Sequence, residues 1–117
     1  MSEGTKYDSG KPRMTLIPVE FLVGLGKALT FGAKKYDAHN FKKGILLSRL
    51  LDAAERHLKL ESVGVEEDRD SKLPHWAHAA ASLAMYAFIK KWHPDMDDRY
   101  KYTDDQKKIL EEDMYGV

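Results

Sequence analysis

The chain of 117 residues contains no cysteine. That excludes a disulfide framework, a thiolate zinc site and a cysteine nucleophile, and it fits a reducing compartment. A charge bias is missing as well: Lys plus Arg and Asp plus Glu number 19 each. No simple electrostatic case for nucleic acid exists, and none is expected as a partner. No apolar run is long enough to span a membrane, and the polar start "MSEGTKYDSGKPR" fits no signal peptide. The expectation is a cytoplasmic protein without a membrane partner. No stretch alternates with period two for long enough to form a strand, and no repeat or low-complexity linker divides the chain.

What is present reads as helix. Apolar residues are 43% and charged residues 32% of the chain, which suits a folded domain and not a disordered one. Residues 1–16 hold Gly4, Gly10 and Pro12 among charged side chains and read as a loop segment. From Pro18, a residue suited to a first helical turn, Phe21, Leu22, Leu25, Ala28, Leu29, Ala33 and Tyr36 follow at spacings of three and four. This predicts a helix over residues 18–36. Gly24, Gly26 and Gly32 weaken it on propensity and allow a backbone or ligand to come close. A second helix is expected over residues 46–61, with Leu47, Leu50, Leu51, Ala54 and Leu58 as its apolar stripe.

The third, over residues 74–92, is apolar all round and rich in alanine, which predicts burial on most sides, with help from a partner subunit. Thr103 and Gln106 form a capping-box pattern for a short last helix. The expected fold is all-α: an antiparallel bundle of three main helices with a short C-terminal one. One domain is expected over residues 1–117, comprising the N-terminal loop, a helical core over 17–92 and a peripheral tail over 93–117.

Polar residues gather in three places. "KYDSGKPR" brings Lys6, Lys11 and Arg13 together, as a solvated terminus or as a cationic flap over a phosphate-bearing ligand. "FGAKKYDAHNFKKG" carries Lys35, Tyr36 and Asn40 at a helix end, where lysines favour the dipole and where an aromatic, an amide and cations also suit a nucleotide. The third spans residues 52–78. Asp52 with Arg56 and Glu55 with Lys59 are i,i+4 pairs of an ordinary exposed face. His57 and Glu61, however, abut the apolar stripe, Asp68 and Asp70 lie in the acidic connection, and His75 and His78 share one face of the next helix. Three imidazoles and three carboxylates thus meet near one helix–helix mouth. Core histidines are the bland alternative; ionisable groups at such a junction need partners and point to a site.

The blocks "KYDSGKPRMTLIP", "LTFGAKKYDAHNFKKG", "SRLLDAAERHL" and "DRDSKLPHWAHAAAS" resemble, in order and spacing, the phage and bacterial dATP/dGTP diphosphohydrolases of MazZ type. These are placed with the all-α MazG-like nucleotide pyrophosphohydrolases. The resemblance covers roughly residues 6–90. It implies hydrolysis of a purine deoxynucleoside triphosphate between the α and β phosphates, releasing pyrophosphate. In phages, that serves nucleotide-pool control, including dGMP for 2-aminoadenine genomes. It also implies a homodimer or homotetramer in the cytoplasm, the host's if the chain is phage-encoded.

MazG-like enzymes carry ExxE and ExxD motifs for magnesium; here the corresponding positions hold Asp52 with Glu55, and His75 with His78. Magnesium prefers oxygen ligands, whereas imidazole suits manganese and zinc. The expected cofactor is a divalent ion, magnesium or manganese. Its ligands are expected among Glu61, Asp68, Asp70, His75 and His78. His57, Asp68, Asp70, His75 and His78 are expected to orient or deprotonate the water. Lys6, Lys11, Arg13, Lys35 and Arg56 are expected to neutralise the triphosphate, and Tyr36 and Asn40 to contact the base or sugar. A non-catalytic nucleotide-binding protein and a structural helical oligomer are the alternatives.

Overall fold

Among residues 2–116, which the computed structural model describes, four α-helices and three short 3-10 turns account for the regular structure. The helices are α1 (Val19–Tyr36), α2 (Leu47–Ser62), α3 (His75–Trp92) and α4 (Asp104–Tyr115). The fold is all-α. An isolated bridge between Glu67 and Pro74 is the extent of β pairing among these residues. The expected helix starts fall one residue early. Pro18, Leu46 and Pro74 have extended ψ values near 140° and are N-caps, not first-turn residues.

Those three N-caps carry no side-chain acceptor, so the first free N–H groups of α2 and α3 find carboxylates from elsewhere. Asp98 accepts from the Ser48 N–H at 2.9 Å and from the Ser48 hydroxyl. Glu61 Oε1 accepts from the Trp76 N–H at 2.9 Å. Each places an anion at the positive end of a helix, where it stabilises. In α4 the sequence provides its own cap: the Thr103 hydroxyl accepts from the Gln106 N–H, and the Gln106 side chain accepts from the Thr103 N–H. Gly116, at φ 77°, closes that helix in the left-handed conformation.

α3 is the central helix. On one side Ala77 and Ala81 pack with Ala28 of α1, flanked by Leu25, Leu29, Leu73 and Trp76. On the other side Ile89 packs with Leu47 and Leu50 of α2, flanked by Phe88 and Met96, and Met85 touches both clusters. The end of α2 meets the start of α3, and its start meets the end of α3, so the pair is antiparallel. The alanines bring the backbones close, as their small size predicts.

Burial of α3 therefore comes from α1 and α2 of the same chain, while Leu83 and Trp92 stay exposed. Open apolar surface lies elsewhere: Met14, Leu16, Val19, Leu22 and Val23 on the N-terminal segment and α1, and Ile109, Leu110 and Met114 on α4. Gly24 has a packing reason. The Trp76 indole lies directly over it, stacked on Phe21 at 6.0 Å between ring centroids.

Candidate active site

The site is built where α2 ends and α3 begins. After Ser62, Gly64 adopts φ 86°, and the Val65 N–H returns to the Leu60 carbonyl, closing the helix. The chain then folds tightly back. The Asp68 N–H donates to the Leu73 carbonyl at 2.8 Å, Lys72 N–H to the Asp68 carbonyl at 2.9 Å, and His75 N–H to the Glu66 carbonyl at 2.9 Å. Lys72 pays for this reversal with a left-handed φ of 63°.

The Asp68 carboxylate is the hub of the loop. Its Oδ2 accepts from the Asp70 N–H at 3.1 Å, the Ser71 N–H at 2.9 Å and lies 3.1 Å from the Ser71 hydroxyl. Burial pushes the Asp68 pKa up, but the Ser71 and Asp70 donors outweigh it and the net direction is down. Asp68 is thus held as a carboxylate.

Three imidazoles pack against this hub. His57 Nδ1 and His75 Nδ1 are 2.8 Å apart, a hydrogen bond in which one ring donates and the other accepts. The His57 ring stacks on His78 at 5.0 Å and lies 5.1 Å from His75. His78 Nε2 is 2.6 Å from the Ser71 hydroxyl and 4.0 Å from Asp68 Oδ2. His75 is 3% exposed. Burial lowers the His57 pKa, helped by repulsion from His78 and His75. Burial also lowers that of His78 and outweighs the opposing pull of Asp68. Neutral rings keep a nitrogen lone pair for a ligand or a proton. Among the described residues, no buried side-chain polar atom lacks a partner.

Ligand atoms of His57, Asp68 and His75 lie within 4.8 Å of one another, a group that can hold a metal ion. The structure thus brings Asp68 and His75 together with His57. Asp70 is exposed and contributes its N–H to Asp68. Glu61 caps α3 through Trp76, and His78 is engaged by Ser71. Asp52 and Glu55 sit on the exposed face of α2 with Arg56.

Lys35 and Tyr36 are exposed at the end of α1, with the Lys35 ammonium 5.1 Å from the Tyr36 ring. Tyr36 raises the Lys35 pKa, with smaller help from Asp70 and Asp68 of the loop. Asn40 is half-buried and opens a 3-10 turn, Asn40–Lys43. Lys6, Lys11 and Arg13 lie in an exposed segment, which the structure does not draw into the cluster.

Sequence reasoning passed over two contributors. Ser71 completes the link from Asp68 to His78, and the Asp-x-x-Ser spacing of a side-chain-bonded turn was its available signal. Phe31 of α1 meets the His78 ring edge-on at 6.0 Å, a contact across elements without a local signature.

The family model described as "dATP/dGTP diphosphohydrolase, N-terminal" matches residues 1–99. A protein of Salmonella phage PMBT28 named dATP/dGTP diphosphohydrolase is 37% identical over 97 residues, covering 82% of this chain. The aligned region spans 33% of that curated relative, so the chain corresponds to about one third of its length. No solved structure matches the chain.

Proposed function

Because the chain belongs to the dATP/dGTP diphosphohydrolase family through that family's N-terminal region, we propose that it hydrolyses a purine deoxynucleoside triphosphate to the monophosphate and pyrophosphate. The observation that carries this reading is the group formed by His57, Asp68 and His75, set beside a third imidazole, His78. Two imidazole nitrogens and one carboxylate oxygen fit a divalent ion of the manganese or zinc kind better than magnesium. Of the two ions expected from the sequence, this donor set favours manganese. Bound there, such an ion supplies positive charge to phosphate oxygens and makes water more acidic.

The chain's own residues account for the proton. When the Ser71 hydroxyl donates to Asp68 Oδ2, its oxygen is left to accept from His78 Nε2–H. That tautomer puts the basic lone pair on His78 Nδ1, where it takes a proton from the attacking water. The water oxygen bonds to the α-phosphorus, the bond to the bridging oxygen breaks, and pyrophosphate leaves with the electron pair. Glu61, fixed on the Trp76 N–H, holds the start of α3 and so the two rings that project from it. Lys35, whose charge is felt by Asp70 and Asp68 of the loop, and Arg56, the residue before His57 on α2, offset phosphate charge.

A homo-oligomer, dimeric or tetrameric, accompanies this activity. Its support is the shape of one copy: the radius of gyration is 18.0 Å, against about 13 Å for a compact 100-residue domain. The apolar side chains left open on the N-terminal segment and α4, among them Met14, Leu16, Ile109, Leu110 and Met114, are the surface for it. No described helix is long and apolar enough to cross a membrane, and an enzyme acting on a deoxynucleotide pool works in the cytoplasm, the host's if it is phage-encoded.

The test is product analysis by 31P NMR after incubation with dATP or dGTP. The expected products are the monophosphate and intact pyrophosphate, with turnover abolished by a chelator and restored by manganese. Inorganic phosphate or whole triphosphate as the first product would defeat the reading.

A further inference from the structure

A shallow, open groove of about 530 Å³ runs along α1 toward the loop, within the range of small-molecule sites. One wall is a single helical face: Val23, Gly26, Lys27, Thr30 and Lys34 at spacings of three, four and seven. The other wall is Ser71 and Leu73 of the loop. Phe31 also lines the groove and touches His78 edge-on, while Ser71 is bonded to the same ring. One end of the groove is therefore walled by the two residues, Phe31 and Ser71, that touch the His78 ring.

Its chemistry changes along its length. Leu22, Val23 and Leu73 make it apolar, whereas Lys27 and Lys34 place two ammonium groups two turns apart on the same side. Next to Lys27, one residue before it, lies bare backbone at Gly26. A glycine inside a helix is costly relative to alanine, and Gly24 has the Trp76 ring to account for it. Gly26 has no such reason: a Cβ placed there would meet nothing within 4 Å. The Thr30 hydroxyl donates to the Gly26 carbonyl at 2.7 Å and is thereby turned along the helix. A flat group can lie directly on this floor.

We infer that this groove on α1 is the nucleotide subsite, with the purine over Gly26 between Val23 and Leu73 and the phosphates toward Lys34 and Ser71. The inference rests on the nucleotide-hydrolase reading and deepens it. It moves the base from Tyr36 and Asn40, where composition placed it, to the middle of α1. Lys27 and Lys34 become the cations nearest the phosphate path, and the α-phosphate is delivered beside His78.

The test uses the full chain and calorimetric binding of an α,β-methylene analogue of dATP, with manganese present. Gly26→Leu fills the floor from a Cβ that meets nothing within 4 Å, and it replaces a poor helix former, so the melting temperature is expected to hold or rise. Binding of the analogue should nonetheless weaken at least ~10-fold, as for loss of a stacked base. Tripolyphosphate binding should survive Gly26→Leu and weaken in Lys34→Ala. Gly32→Leu, on the same helix and also open but outside the groove lining, should bind as the wild type does.

Wild-type affinity in Gly26→Leu overturns the proposal. So does a change of assembly mass in that variant by light scattering, which assigns the groove to a second copy. A wild-type chain that binds the analogue through Gly26 yet releases no pyrophosphate from dATP defeats the hydrolase reading and leaves the subsite standing. A chain that hydrolyses dATP with Gly26→Leu unimpaired does the reverse.

Discussion

Two glycines of one helix should respond to alanine with opposite signs. A Cβ added at Gly24 would lie 2.7 Å from Trp76 Cζ3 and closer still to Cη2, well inside contact distance. The indole cannot swing aside freely, because it stacks on Phe21 and its own N–H group on the backbone is fixed by Glu61. Overpacking of this kind costs about 1–3 kcal/mol. At Gly26 the added methyl meets open space. Both substitutions gain about 0.8–1.0 kcal/mol from helix propensity, so that contribution cancels in the comparison.

Gly26→Ala should therefore be more stable than Gly24→Ala by about 1–3 kcal/mol, the overpacking term alone. In melting temperature this is roughly 4 °C or more per kcal/mol for a domain of about this size. Urea unfolding followed by far-UV circular dichroism at one fixed protein concentration measures it. Tryptophan emission should shift in Gly24→Ala alone, since its indole is the group displaced. Equal stability of the two variants, or a more stable Gly24→Ala, would show that the indole does not rest on that backbone.

Two further expectations concern the imidazoles. His78→Asn should cut turnover ~10²–10⁴-fold, the range for loss of an acid–base or electrostatic group, with little change in melting temperature; Ser71→Ala, which removes the partner of His78 Nε2, should lower kcat less. A folded His78→Asn variant with full activity sinks the role given to that ring. The second concerns pH: His57 and His78 have pKa values below the ordinary 6.5, first through burial. The unfolded chain therefore binds more protons, and their contribution to stability is complete above about 6.5 and lost as pH falls toward the folded values. The metal-free melting temperature should fall from pH 6.5 to 5, less steeply in His78→Asn; a flat profile in the wild type would contradict it.

The parts legible in the sequence were those whose cause is local. Spacings of three and four marked the helices. Thr103 and Gln106 announced a cap that needs no other residue, and His75 and His78 had to share a face. The sequence was silent where the cause is a distant partner. Glu61 reads as a candidate ligand by type, yet its carboxylate meets an N–H fifteen residues away, and nothing in its own helix requires that. Asp98 closing the start of α2 is the same case over a longer span. Trp76 over Gly24 could be anticipated only as a close approach of something unspecified. The cations Lys6, Lys11 and Arg13 belong to a segment exposed throughout, where composition alone offers no placement.

The hub on Asp68 ties together groups that all fall between residues 57 and 78. Bringing them together closes only a short stretch of chain, and closure entropy grows slowly from a small base. Contacts of such low order form early and depend little on the remainder of the fold. The groove, by contrast, needs α1, which comes from the far side of a separate loop. The cluster and the α1 wall of the proposed groove are thus encoded in different stretches of the chain. Substitutions on α1 can redraw what is held without dismantling the cluster that acts on it.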